Sequence, residues 1–187
     1  KDHRDQITAL ASVVLPEEEP LLESAGTRLW AAGAAAPVLS RAPADPAAAL
    51  RSLLDATGPA DYLALLAYLH GTPRVHALLE RVRAAAAAGP GLAVTLGYGP
   101  RFQHSTGQLH KGGPATGVFL QLTAAEEPDL AVPGERYTFG MLRRAQAAGD
   151  WSTLARRGRR VVRLDLGTDV EGALNALAAG LEGTRGA

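Results

Sequence analysis

The sequence contains no cysteine, which excludes disulfides, thiol nucleophiles and thiolate metal sites together. It also has no excess of either charge. Nineteen Lys and Arg offset nineteen Asp and Glu across 187 residues, so bulk electrostatics indicates neither a nucleic-acid partner nor an anionic membrane. No apolar run reaches the roughly 18 residues of a membrane span. The opening KDHRDQITALASVV mixes its charges and lacks a clean small-residue cleavage site, unlike a secretory signal. There is no phosphate-binding P-loop and no dinucleotide fingerprint. His3, His70 and His76 have no carboxylates at ligand-like spacing, so no metal site is expected. Together these absences predict a cytoplasmic domain.

What is present is a core-forming pattern. Hydrophobic residues make up 47% of the chain, enough to bury a core. The alanine tracts LWAAGAAAPVL and VRAAAAAGPG read as helix propensity rather than function. Short apolar runs at 27–31, 62–69, 92–98, 117–123 and 160–166, bounded by Gly, Pro or charge, predict five buried strands.

Helical patterns lie between these runs. Asp45-Pro46 and Thr72-Pro73 each place a capping residue before a first-turn proline, starting helices over 45–56 and from 72 to the stop at Gly89-Pro90. Further helices are predicted over 139–148, 152–157 and 168–181. The expected fold is therefore α/β: a five-stranded, mainly parallel sheet with helices on both faces, as one domain over 1–187. Such sheets bind ligands beyond the carboxyl ends of their strands.

The segment LGYGPRFQHSTGQLHKGGPATGVFLQL, residues 96–122, is too rich in glycine and polar groups for an ordinary connection. Its glycines permit close backbone approach to a ligand. They surround Arg101, His104, Ser105, Thr106, Gln108, His110 and Lys111. A helix over 103–111 would align His104, Gln108 and Lys111 on one face and turn His110 elsewhere. Of these, His104 is the natural proton-transfer group near neutral pH. Elsewhere, Arg143, Arg144 and the cluster Arg156, Arg157, Arg159 and Arg160 read as solvated helix-end charge. Trp30 and Tyr68 read as packing residues with satisfied polar tips.

The string YGPRFQHSTGQLHKGGPATGVFLQLT, with PADYLALLAYL before it and VPGERYTFGMLRRAQAAGDWSTLARRGRRVVRLDLG after it, resembles the C-terminal sugar-isomerase (SIS) portion of transaldolase/glucose-6-phosphate isomerase fusions. The resemblance covers about 58–167, and His104 followed four residues later by Gln108 matches the wider isomerase pattern. It implies a SIS-like three-layer sandwich, cytoplasmic and serving glycolysis and gluconeogenesis. The implied activity is interconversion of glucose 6-phosphate and fructose 6-phosphate, with His104 assisting ring opening and Arg101, Gln108 and Lys111 binding substrate.

Proton transfer of this kind requires no cofactor and no metal. The implied partners are the sugar-phosphate substrate and upstream sugar-isomerase and transaldolase portions; a homo-oligomer stays open. The family's base glutamate has no counterpart among Glu17, Glu18, Glu19 and Glu23, and its C-terminal lysine has none in YTFGMLRRAQ. The phosphate-binding Ser and Thr of the family also belong to the upstream domain, so Ser105 and Thr106 are not given that role. The chain is accordingly expected to be a fragment of a larger enzyme and weak or inactive alone. The alternative is a non-catalytic sugar-phosphate-binding or assembly domain.

Overall fold

The computed structural model describes residues 19–41, 43–88, 91–99, 101–102, 105–125 and 129–183. Along β3 (Tyr62–Tyr68) two apolar sets alternate, Leu63, Leu65 and Ala67 on one face and Ala64, Leu66 and Tyr68 on the other. Both faces are covered, so the strand reads as a continuous apolar run instead of an alternating one. β5 (Gly117–Thr123) and β6 (Arg160–Asp165) are also covered on both faces, with Gln121 and Arg163 as buried polar residues among their apolar ones. β4 (Ala93–Tyr98) is an edge strand, and its burial is correspondingly partial.

The sheet has six strands rather than five, in the order β1-β2-β6-β5-β3-β4. The additional strand, β1 (Leu22–Ser24), forms a hairpin with β2 (Thr27–Ala32). Both residues of its turn, Ala25 and Gly26, have positive φ, 49° and 76°, the geometry that keeps a two-residue hairpin in twist with its strands. With only three residues, β1 gives too little alternation to be legible in the sequence. β1 and β2 run antiparallel, β2 pairs antiparallel with β6, and β3, β4, β5 and β6 pair in parallel. The sheet is mostly parallel but mixed.

Five α-helices flank it: α1 (Pro46–Asp55), α2 (Pro73–Ala87), α3 (Ser105–Gly112), α4 (Phe139–Arg156) and α5 (Val170–Glu182). The predicted caps form: Asp45 Oδ1 accepts from Ala48 N at 2.7 Å and Thr72 Oγ1 from Val75 N at 3.1 Å. α1, α2 and α5 pack with the larger core on one face, whereas α4 and Phe102 join the smaller core on the other.

The two helices expected over 139–148 and 152–157 are one continuous helix. Gly149 costs that helix about 1 kcal/mol of propensity. The residues that follow offset it, because Asp150 is held from the sheet and Trp151 lies under Arg163, whose guanidinium carbon is 5.0 Å from the ring centroid.

Topology places a crevice at one end of the sheet. From β3 the chain crosses through α2 outward to β4, whereas from β5 it crosses through α4 the opposite way to β6. The carboxyl ends of β3 and β5 therefore part their connections to opposite faces, which opens a crevice between them.

Candidate functional site

That crevice consists of two adjoining hollows of about 690 and 830 Å³, which share Leu69, His70, Thr72, Phe139 and Arg143. This is the size range of small-molecule sites. The first hollow lies between the ends of β3, β5 and β6 and adds Ala124, Thr168, Asp169 and Glu171. The second lies toward β4 and adds His76, Tyr98, Arg101 and Gln146.

Each polar group arrives on the first residues after a strand or in the first turns of a helix. His70 and Thr72 follow β3, Arg101 follows β4, and Arg143 comes from the start of α4. His76 Nδ1 lies 3.3 Å from the Tyr98 hydroxyl. The carboxylates of the first hollow are engaged: Asp169 Oδ1 accepts from Gly172 N at 2.9 Å, and Glu171 pairs with Arg74 at 2.8 Å.

α3 carries the STGQLHKG part of the HSTGQLHKGGP segment on the opposite face of the sheet from α2. Gly107 is required there by close approach: a Cβ on it would lie 2.1 Å from the Phe102 carbonyl oxygen. His110 is buried in an aromatic niche, with ring centroids 5.0 Å from Phe119, 6.0 Å from Tyr62 and 6.3 Å from Phe102. Burial pulls its imidazole below the usual value; Asp150 opposes this and Lys111 adds to it. It packs as a neutral ring.

Lys111 pairs with Asp150 Oδ1, and the Tyr68 hydroxyl donates to Asp150 Oδ2. Burial, reinforced by the Asp150 carboxylate, raises the Tyr68 phenol far above its usual range, so it stays protonated.

Behind this triad the polar network continues. Arg163 Nε donates to Gln121 Oε1 at 2.6 Å and Nη2 to the Ala147 carbonyl at 3.1 Å, while Gln121 Nε2 donates to that carbonyl at 2.9 Å. Burial lowers the Arg163 guanidinium to about 10, which leaves it charged at neutral pH.

Of the residues selected from sequence, His104 lies outside the described residues. Arg101 is exposed and lines the crevice. Gln108 is exposed on α3, and Lys111, one turn on, is committed to Asp150. Ser105 and Thr106 are exposed at the start of α3.

The arginine cluster needs correction. Arg156 is solvated and reaches Ser152 Oγ at 2.7 Å. Arg159 is buried and donates to the carbonyls of Lys111 at 3.2 Å and Gly113 at 2.5 Å, closing the end of α3. Arg160 pairs with Asp61 at 2.7 Å. Cations do favour helix C-termini, but the helix that Arg159 serves is α3, 46 residues earlier in the chain. Arg144 lies 3.7 Å from Asp129, and Arg143 lines the crevice.

The sequence reading weighed His70 only as a metal ligand and took Arg143 as solvated helix-end charge, yet both line the crevice. Their position just beyond β3 and in the first turns of α4 is the signal that would have found them. Among the described residues no cluster of three or more His, Cys, Asp or Glu is placed to hold a metal, and no helix is long and apolar enough to cross a membrane.

The fold and crevice define a three-layer α/β protein with a crevice at a topological switch point. The sequence matches no protein-family model and no curated protein. Among solved structures the fold is similar to a hypothetical protein from Thermus thermophilus, with a TM-score of 0.59 and 18% identity, covering 73% of this chain and 37% of that one. At that identity the likeness establishes the fold alone. The chain spans little more than a third of that neighbour's length.

Proposed function

We propose that the chain is the C-terminal sugar-isomerase portion of a larger glucose-6-phosphate isomerase, interconverting glucose 6-phosphate and fructose 6-phosphate in the complete protein. The observation that supports this best is the switch-point crevice, which gathers Arg101, Arg143, His70 and Thr72 where the chain leaves β4 at Gly99. Aldose–ketose isomerisation requires a general acid at the ring oxygen and stabilisation of an enediolate. His104 serves the first need. Arg101 and Gln108 contact substrate, and Lys111, already held by Asp150, contributes by seating α3 against α4.

A non-catalytic sugar-phosphate-binding module is favoured for the chain alone by one finding. The two carboxylates that line the crevice among the described residues are engaged, Asp169 as a helix cap and Glu171 with Arg74. The base that moves the proton between C1 and C2 then comes from elsewhere in the complete enzyme.

The test is a coupled isomerase assay on the full enzyme carrying His104→Ala. Loss of about 10²–10⁴-fold with cyclic substrate, and much less with an open-chain analogue, is expected of a ring-opening acid. Equal losses with both substrates remove that role. His110→Ala should cost far less turnover per folded molecule.

A further inference from the structure

We infer that the β4 edge of the sheet is an interface between copies of this chain. β4 pairs antiparallel with β4 of a second copy about a two-fold axis at Thr95, which joins two sheets into one. The inference is independent of the sugar-phosphate reading.

The two edges of the sheet are built differently. β1 has three residues, carries the exposed Glu23 at its middle and follows Pro20 closely. Short length, charge and proline are the usual guards against strand addition. β4 has none of them: it has six residues, and nothing from Leu92 to Gly99 is charged or proline. Among the described residues β4 has a strand on one side only, β3. Gly99 N donates to the Ala67 carbonyl at 2.9 Å. By the period of two, Gly97 and Thr95 also turn their backbone groups to β3, while Val94 and Leu96 turn theirs outward. With Thr95 on the axis, Val94 lies opposite Leu96 of the second copy, and each such pair exchanges both its hydrogen bonds.

The flanks of the edge fit the chain's own copy. The register sets Thr95 and Gly97 beside Ala64 and Leu66 of β3, on the face that carries α3. A hollow of about 320 Å³ opens there between β4 and α3, lined by Thr95, Gly97, Phe102 and Thr106. On α3 itself Leu109 is 52% exposed. It stands about 200° round the helix from Lys111, which meets Asp150 of α4, so it points away from α4. An apolar knob and a hollow flanking one edge are self-complementary, and a two-fold axis uses both twice. Electrostatics does not oppose the approach. α2 brings Glu80 near Tyr98, but Arg83 matches its charge at 2.6 Å. The whole chain has a formal net charge of zero, so its copies do not repel one another as strongly charged chains do.

Sedimentation velocity on the 187-residue chain, run over a concentration series, measures the dimer dissociation constant. A reversible dimer is expected. Thr95→Lys sets two like charges opposite each other at the axis, and Leu109→Glu puts a charge on the knob. Each should raise the dissociation constant by about tenfold or more. Both side chains are exposed, so the monomers keep their fold, which circular dichroism checks. Leu130→Glu, at an exposed apolar residue of the crevice, should leave the constant unchanged. Because the chain has no cysteine, a single introduced one is a unique cross-linking probe. Thr95→Cys should oxidise to a disulfide-linked dimer, since opposite residues of a non-hydrogen-bonded pair lie about 4.5 Å apart at Cα. Glu23→Cys on β1 should not. A chain that stays monomeric throughout, a dimer that neither Thr95→Lys nor Leu109→Glu weakens, or cross-linking through Glu23→Cys in place of Thr95→Cys overturns the interface. A monomer whose β4 amides resist hydrogen exchange assigns the edge to another part of the chain and overturns it as well.

Discussion

The Tyr68 hydroxyl donates to the Asp150 carboxylate, joining the last residue of β3 to the middle of α4. The other oxygen of Asp150 pairs with Lys111 of α3, so one carboxylate ties together three elements on one face of the sheet. Asp150→Ala leaves a buried phenol without an acceptor and a half-buried ammonium without a counter-ion. A loss of about 2–3 kcal/mol is expected, toward the low end for broken ion pairs because Lys111 retains access to water. Tyr68→Phe removes one donor and leaves the ion pair intact, costing about 1–2 kcal/mol. Urea denaturation checks the order. A greater loss from Tyr68→Phe than from Asp150→Ala would place the weight on the phenol instead.

The glycines of the HSTGQLHKGGP segment separate sharply. A Cβ at Gly107 meets the Phe102 carbonyl oxygen at 2.1 Å, whereas one at Gly112 meets nothing within 4 Å. Backbone cannot yield as a side chain does. Gly107→Ala is therefore expected to displace α3 and cost about 2–3 kcal/mol. Gly112→Ala, at the last residue of the helix, should be neutral or stabilising by up to about 1 kcal/mol. Thermal melts of the two single variants decide it.

The same residues show how far the sequence could be read. The apolar run of β3 was legible because burial on both faces leaves nothing polar to interrupt it, and β5 and β6 stayed legible because Gln121 and Arg163 interrupt otherwise apolar runs only singly. α1 and α2 were legible because an Asp or Thr cap precedes a first-turn proline. β1 was too short to carry a period, and α4 was split because Gly149 is a local breaker while the contacts of Asp150 and Trp151 are long-range. Arg101 was selected for its glycine-rich surroundings and lines the crevice. Arg143 and Arg159 looked alike as surface cations, yet one lines the crevice and the other closes α3 from 46 residues away. Charge type is visible in a sequence; the partner it meets across the fold is not.

His110 gives the fold a pH dependence whose sign follows from its niche. Burial depresses its folded-state value below the ordinary one of about 6.5. The stability is fully present above about pH 6.5; below it the unfolded chain takes up a proton that the folded chain resists, so stability falls with pH until the folded value is reached. His110→Phe keeps an aromatic ring among Tyr62, Phe102 and Phe119 and removes the titration. Its stability should be flatter than wild type between about pH 7 and 5 by chemical denaturation at each pH. Parallel profiles would show that the imidazole ionises freely where it sits.

Asp61 acts lower on the scale. Its hydrogen bond from Arg160 holds the carboxyl below the usual carboxylate range; burial opposes this, and the Gly58 amide and the Arg160 charge add to it. The stability it contributes is present above the unfolded value of about 4 and is lost as pH falls through the depressed folded value. Asp61→Asn should lower stability at pH 7 by about 1 kcal/mol and narrow the gap from wild type in acid. A gap that stays constant down to pH 3 would separate the pair from any linkage to protons.

The last prediction concerns completeness: the 187-residue chain should fold cooperatively yet show little or no isomerase turnover. Folding follows from a sheet covered on both faces, with a larger core against α1, α2 and α5 and a smaller one against α4. The lack of turnover follows from the crevice. Moving a proton between adjacent carbons requires a base held within about 3–3.5 Å of the reacting atom. Asp169 is spent on the α5 cap and Glu171 on Arg74. His104 alone can help open a ring without completing the transfer. On the proposed reading, turnover is expected only when the upstream portion is supplied, in cis or in trans. Turnover by rigorously purified chain, measured beside its His104→Ala form as a contamination control, checks this. Activity that is robust in the first and absent in the second would require a base within these residues, with Asp169 and the 17–19 glutamates the first to substitute.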